Sequence, residues 1–183
     1  RKPGLKRLSR MKKKLALFAL LVFCFMANVA TGQAKVSKNI KNLTNEFTTY
    51  SAYTISTMEQ KNEKVSLNFA SADSRIQVLS YNKKVQKGTG ADKVSKMLFG
   101  TKTYGVTPVQ GDWGEDHPYI TVKKVKKLGG KKYLVTANVM NKLYGSSSKE
   151  KWGTVKLYVT KKKKTKYGYV AYKLMVQRTK SLV

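Results

Sequence analysis

Cysteine is nearly absent from this 183-residue chain: only Cys24 occurs, inside an apolar stretch near the N-terminus. A chain that loses that stretch has no disulfide framework, no thiol nucleophile and no cysteine-based metal site. Acids are scarce as well, 9 against 38 lysines and arginines, for a formal charge of +29. Such an excess points to a polyanionic neighbour or a strongly solvated surface and says nothing about fold. Beyond residue 34 arginine is rare too, with Arg75 and Arg178 alone. Lysine is a flexible point charge and arginine a planar fork, so the surface suits diffuse attraction, and sequence-specific nucleic-acid readout is not expected. The single histidine, His117, offers no imidazole pair for a transition metal, and neither a metal nor a cofactor is expected. The longest apolar run, residues 15–27, is shorter than the roughly 20 residues of a bilayer span, so no permanent span is expected once it is removed. The patterns G-x-x-x-x-G-K-[ST], G-x-G-x-x-G and G-x-S-x-G are all left incomplete.

What is present near the N-terminus is a three-part export pattern. Met11 opens Lys12-Lys13-Lys14, the apolar run follows, and Asn28-Val29-Ala30-Thr31-Gly32-Gln33-Ala34 supplies small residues for a peptidase. Cleavage after Ala34 places Gly32 at the third position before the cut. Residues 1–34 therefore read as upstream residues plus a signal peptide, and 35–183 as a single domain that is exported to the periplasm or secreted. Lipidation at Cys24 is the other reading of the leader, with Leu21 in place but bulky Phe23 where a small residue belongs. From residue 35 onward 30 basic residues face 9 acids, so the positive charge belongs to the domain itself.

Hydrophobic residues make up 41% of the chain, enough for one packed core. Over residues 36–58 apolar and aromatic side chains recur at spacings of three and four, which predicts helix, weakened by Thr48, Thr49, Thr54, Ile55 and Thr57. A second short helix is expected over 63–70. Residues 75–81 read as a strand, turning at Asn82-Lys83-Lys84 into a return strand through Val85, with Gly88-Thr89-Gly90 closing the hairpin. Thr89 and Asp92 have the spacing of a capping box, ahead of a helix ending at Gly100. Four strands follow, over 120–128, 132–140, 154–160 and 167–177, with period-two alternation that leaves one covered and one wetter face. The covered face is expected to hold Ile76, Val78, Val155, Leu157, Val159, Tyr172, Leu174 and Val176. The class is α+β: N-terminal helices on a curved antiparallel sheet made of a hairpin, a short helix and a four-strand meander.

This order, with Phe69-Ala70-Ser71-Ala72-Asp73-Ser74-Arg75-Ile76-Gln77-Val78 leading into the first strand and a glycine-led helix over 88–98, resembles the nuclear transport factor two-like superfamily, SnoaL-like proteins included. The resemblance implies a cone-like fold around a pocket, in a family of enzymes, ligand carriers and assembly modules; fold alone does not choose among them. Enzymatic relatives often use an Asp and a His, and Asp73 matches the family's acid ahead of the first strand.

Two groups of residues are candidates for function. Asp112, Glu115, Asp116 and His117 lie together in a loop, with the atoms for acid–base work or a hard cation, but without regular ligand spacing. Asp73, Asp116 and His117 are the residues an enzyme would use. The lysines are better placed. Turns of a meander alternate between sheet ends, so Lys123, Lys124, Lys126, Lys127, Lys131 and Lys132 should share one rim with Lys161, Lys162, Lys163, Lys164 and Lys166. Interleaved with Tyr133, Tyr158, Tyr167 and Tyr169, that rim suits an anionic envelope component or another polyanion. Lysine also keeps strand ends soluble and unpaired, which is the competing explanation. The expected function is a non-catalytic binding module; a SnoaL-like pocket enzyme and a homodimeric structural or assembly module are the alternatives.

Overall fold

The computed structural model describes residues 37–110, 117–142, 145 and 147–180. The stretch expected to be an export signal, with Cys24, and Asp112, Glu115 and Asp116, lie outside them. The chain forms helices α1 (Lys38–Asn45) and α2 (Thr48–Thr57), strand β1 (Lys64–Asn68), helices α3 (Ala72–Ser80), α4 (Lys83–Gln86) and α5 (Ala91–Phe99), then strands β2 (Tyr119–Gly129), β3 (Lys132–Lys142), β4 (Lys149–Lys161) and β5 (Tyr169–Arg178). The fold is α+β, with one five-stranded antiparallel sheet in the order β1-β5-β4-β3-β2.

The N-terminal helical period is realised as two helices. Ser37 caps α1, its hydroxyl accepting from the Ile40 N–H at 3.2 Å. Buried Thr44 in α1 and Thr54 in α2 each donate one turn back, Thr44 to the Ile40 carbonyl at 2.7 Å and Thr54 to that of Tyr50 at 2.8 Å. Their polar atoms are satisfied, and their methyls pack.

Three local assignments made from pattern differ in the structure. The expected helix over 63–70 is β1, in which Val65 and Leu67 alternate inward opposite Val176 and Leu174 of β5. The expected strand over 75–81 is α3. Arg75 there donates to the Phe69 carbonyl at 2.6 Å and the Ala70 carbonyl at 3.0 Å, while Val78 and Leu79 are fully buried, a helical rather than an alternating set. The expected turn and return strand form α4, which Asn82 caps by accepting from the Lys84 N–H at 2.9 Å, so there is no hairpin. In α5 the N-cap is Gly90 without a side-chain cap, not the Thr89–Asp92 box, whereas the stop at Gly100 holds, with φ at +75°.

The meander is as the alternation predicts. Val135, Ala137 and Val139 of β3 and Val155, Leu157 and Val159 of β4 are fully buried, and the residues between them are half-buried or exposed. Beneath them lie Leu43, Phe47, Ile55 and Leu98 from the helices, with Phe47, Phe69 and Phe99 in mutual ring contact at 4.5–6.1 Å. One phase error occurs in β5. Tyr158 pairs with Lys173 but Val159 pairs with Ala171, so Tyr172 is the extra residue of a bulge. Ala171 takes the covered position and Tyr172 turns to the open face, its ring 6.0 Å from Tyr158. Ile76, expected in a covered strand, is half-buried on α3.

Candidate functional site

The β2–β3 and β4–β5 turns meet at one end of the sheet. Gly129 and Gly130 make the first turn with φ of +120° and +51°, values an L side chain resists. The second, residues 162–168, is closed by the Lys162 N–H to the Gly168 carbonyl at 2.9 Å and by the Thr165 hydroxyl to the Lys162 carbonyl at 2.9 Å. The Lys161 N–H donates to the Lys131 carbonyl at 2.8 Å, joining the two turns directly, and Lys132 pairs with Thr160. All eleven rim lysines are exposed. They do not form one compact cluster, however. Lys123 sits at a bulge six residues before Gly129, about 20 Å down the strand, so Lys123 and Lys124 continue the charge along the β2 edge. Lys126, Lys127, Lys131 and Lys132 stand at the turns with Lys161, Lys162, Lys163, Lys164 and Lys166.

The tyrosines divide among three places. Tyr158 lies on the open face and is joined there by Tyr172, which the alternation pattern misplaces. Lys173 stands 5.6 Å from the Tyr158 ring and Lys132 5.6 Å from that of Tyr172, a cation–π pair of pairs. Tyr133 and Tyr169 instead pack edge to face at 5.8 Å. Tyr167 is buried, and its hydroxyl donates to Glu46.

Glu46 also receives the Lys84 ammonium and the Asn82 amide. Burial alone would raise its carboxyl, but hydrogen bonds from Lys84, Tyr167 and Asn82, with the charge of Lys84, bring it below the ordinary carboxylate range. Burial and then the adjacent Glu46 push the Tyr167 hydroxyl well above its ordinary value. This buried group ties the end of α1 to α4 and to the β4–β5 turn. Its Lys84 lines two clefts. One, of about 340 Å³, is bounded by α1, α2, α4 and the start of β2. The other, of about 450 Å³, lies between α5 and the β4–β5 turn and is lined by Lys84, Lys93, Lys96, Lys164 and Lys166, with Thr89, Thr165, Val94 and Met97. In sequence, the spacing of three between Lys93 and Lys96 marks the polar face of an amphipathic helix, but not what that face looks onto.

Asp73 is exposed in the first turn of α3, just after β1 at one edge of the sheet. His117 exchanges backbone hydrogen bonds with Lys142 at 3.2 and 3.4 Å, extending the ladder at the opposite edge. β1 and β2 are four strand spacings apart, about 19 Å, and neither cleft is lined by Asp73 or His117. The structure does not bring these two together. Among the described residues no three His, Cys, Asp or Glu side chains converge, and no helix is long and apolar enough to cross a membrane. Comparison of the chain with family models, with curated proteins and with solved structures found no match.

Proposed function

We propose that this chain is an exported, non-catalytic binding module, periplasmic or secreted, whose lysine-rich sheet end contacts an anionic envelope component or another polyanion. The observation that carries the reading is the Lys161–Lys131 backbone hydrogen bond of 2.8 Å, because it makes neighbours of two basic turns 30 residues apart in sequence. Two ion pairs, Lys84–Glu46 and Lys180–Glu150, occur among the described residues, and neither uses a rim lysine. Binding is favoured over pocket catalysis by the covered face, where Val135, Leu157 and Leu174 are fully buried against the helices. A dimer through the sheet is less well supported, because the open face carries Lys124, Lys126, Lys156 and Lys173 among its tyrosines and threonines. A cone-like curvature and kinship with the nuclear transport factor two-like superfamily belong to the same proposal; the meander and the helices on one face support them, whereas residues 69–78, which carried the likeness as the approach to a first strand, run into helix α3 and lend it nothing.

Exposed charges farther apart than the Debye length, about 8 Å at physiological ionic strength, are largely screened, so binding needs many lysines close to the ligand. Replacing Lys161, Lys162, Lys163 and Lys164 by Gln should lower the salt needed to elute the protein from heparin. The corresponding change at Lys123, Lys124, Lys126 and Lys127 should do the same. If both variants elute with wild type, or if neither heparin nor lipopolysaccharide is retained near physiological salt, the proposal fails.

A further inference from the structure

We infer that the cleft between α5 and the β4–β5 turn is a discrete site for a phosphorylated sugar, the point at which the basic end grips one headgroup rather than a diffuse chain. The inference rests on the polyanion reading above and specifies its ligand. Lysines reach this cleft from two separate elements, Lys93 and Lys96 on α5 and Lys164 and Lys166 on the turn, all four exposed. The fifth, Lys84, already holds Glu46, so its charge is answered within the fold; Lys166 stands 5.7 Å from the Tyr167 ring, and none of the other four is paired with an acid among the described residues. Among the described residues no acid lines the cleft.

Its shape argues for more than a bare ion. The volume, about 450 Å³, falls within the range of small-molecule pockets, roughly 300 to 1,000 Å³. Val94 and half-buried Met97 give the cleft an apolar floor suited to the C–H face of a sugar ring, with ammonium groups around it for the phosphate oxygens. Lysine binds phosphate as a point charge and tolerates several approach directions, which suits a site assembled from a helix and a turn. The turn is held in place independently of any ligand. Tyr167, next to Lys166, is anchored on Glu46, and the Lys162 ammonium donates to the Gly100 carbonyl at the end of α5 at 3.3 Å. The two walls of the cleft are therefore fixed to each other before anything binds, and less ordering is needed on association.

The test is calorimetric titration of the full chain with glucose 1,6-bisphosphate near physiological salt. One saturable site is expected. The double variant Lys93→Gln/Lys96→Gln should weaken it about tenfold, two charge-assisted contacts being lost. The variant with Lys123, Lys124, Lys126 and Lys127 changed to Gln should change it less than about twofold, since screening removes distant charges. Unphosphorylated glucose should not bind. Absence of a saturable site, equal weakening by both variants, or equal binding of inorganic phosphate and the bisphosphate would overturn the inference. Heparin elution separates it from the broader proposal. A rim variant that elutes with wild type while bisphosphate binding still depends on Lys93 and Lys96 sinks the rim and leaves the cleft; the reverse pattern sinks the cleft alone. Vesicles bearing a phosphorylated glycolipid, compared with the soluble bisphosphate, then decide whether the headgroup is membrane-borne.

Discussion

At the scale of single residues, the two described arginines and the rim lysines have different roles. Both described arginines are occupied inside the fold. Arg178 is buried and one guanidinium nitrogen donates to the Ile55 and Met58 carbonyls, both at 2.8 Å, closing the C-terminus of α2. Arg75 bridges Thr103, at 2.8 Å, and the chain after β1. A rigid fork can satisfy several fixed carbonyls at once, which an ammonium cannot do as well. Glu46 is the matching anionic anchor, and it has a pH signature. Its folded value lies below the ordinary 4.5, so its contribution is present above the ordinary value and is lost as pH falls through the folded value. Urea midpoints of wild type and Glu46→Gln should therefore differ at about pH 7 and converge towards about pH 3. A gap that stays constant across that range would show that the carboxylate charge does not stabilise the fold.

Among the elements, the meander was readable and the middle of the chain was not. Strands β3 and β4 alternate over 133–139 and 153–160, up to a bulge at Trp152, because one face is buried along that length, and the pattern needs no partner to be seen. Residues 64–68 carry the same signal in Val65 and Leu67, but it is only five residues long and becomes a strand by docking on the β5 edge. Residues 72–80 contain Ile76, Val78 and Leu79, apolar and β-rich, and still form a helix because Arg75 and the packing of Val78 and Leu79 outweigh propensity. The bulge at Tyr172 is likewise invisible in a one-dimensional alternation. Register is testable here. Leu174 is fully buried and Lys173 half-buried on the open face, so Leu174→Ala should cost roughly 2 to 5 kcal/mol and Lys173→Ala well under 1. Equal losses in denaturant unfolding would place β5 in the wrong phase.

The whole molecule works against its own charge. From residue 35 onward 30 basic residues oppose 9 acids, and the ion pairs among the described residues number two. Like charges held close by folding repel, and salt screens them. The melting temperature should rise by a few degrees between about 10 mM and about 200 mM sodium chloride, as the Debye length falls from about 30 to below 8 Å. A flat or falling midpoint would mean that the lysines are spread widely enough to cost nothing. A saturating polyanion should raise it further, through the linkage of binding to folding.

The amino-acid order alone determined the class, the four-strand meander, the end of α5 at Gly100 and the meeting of two basic turns, because each follows from local periodicity or from the parity of strand reversals. It also set the charge, which is additive and needs no fold. Only the tertiary structure decided that β1 is a strand and α3 a helix, that Asp73 and His117 lie at opposite edges of the sheet, and that Lys93 and Lys96 look onto Lys164 and Lys166. Those outcomes depend on which surface each element packs against. Contacts between residues distant in sequence settle that choice, and no window along the chain contains both partners.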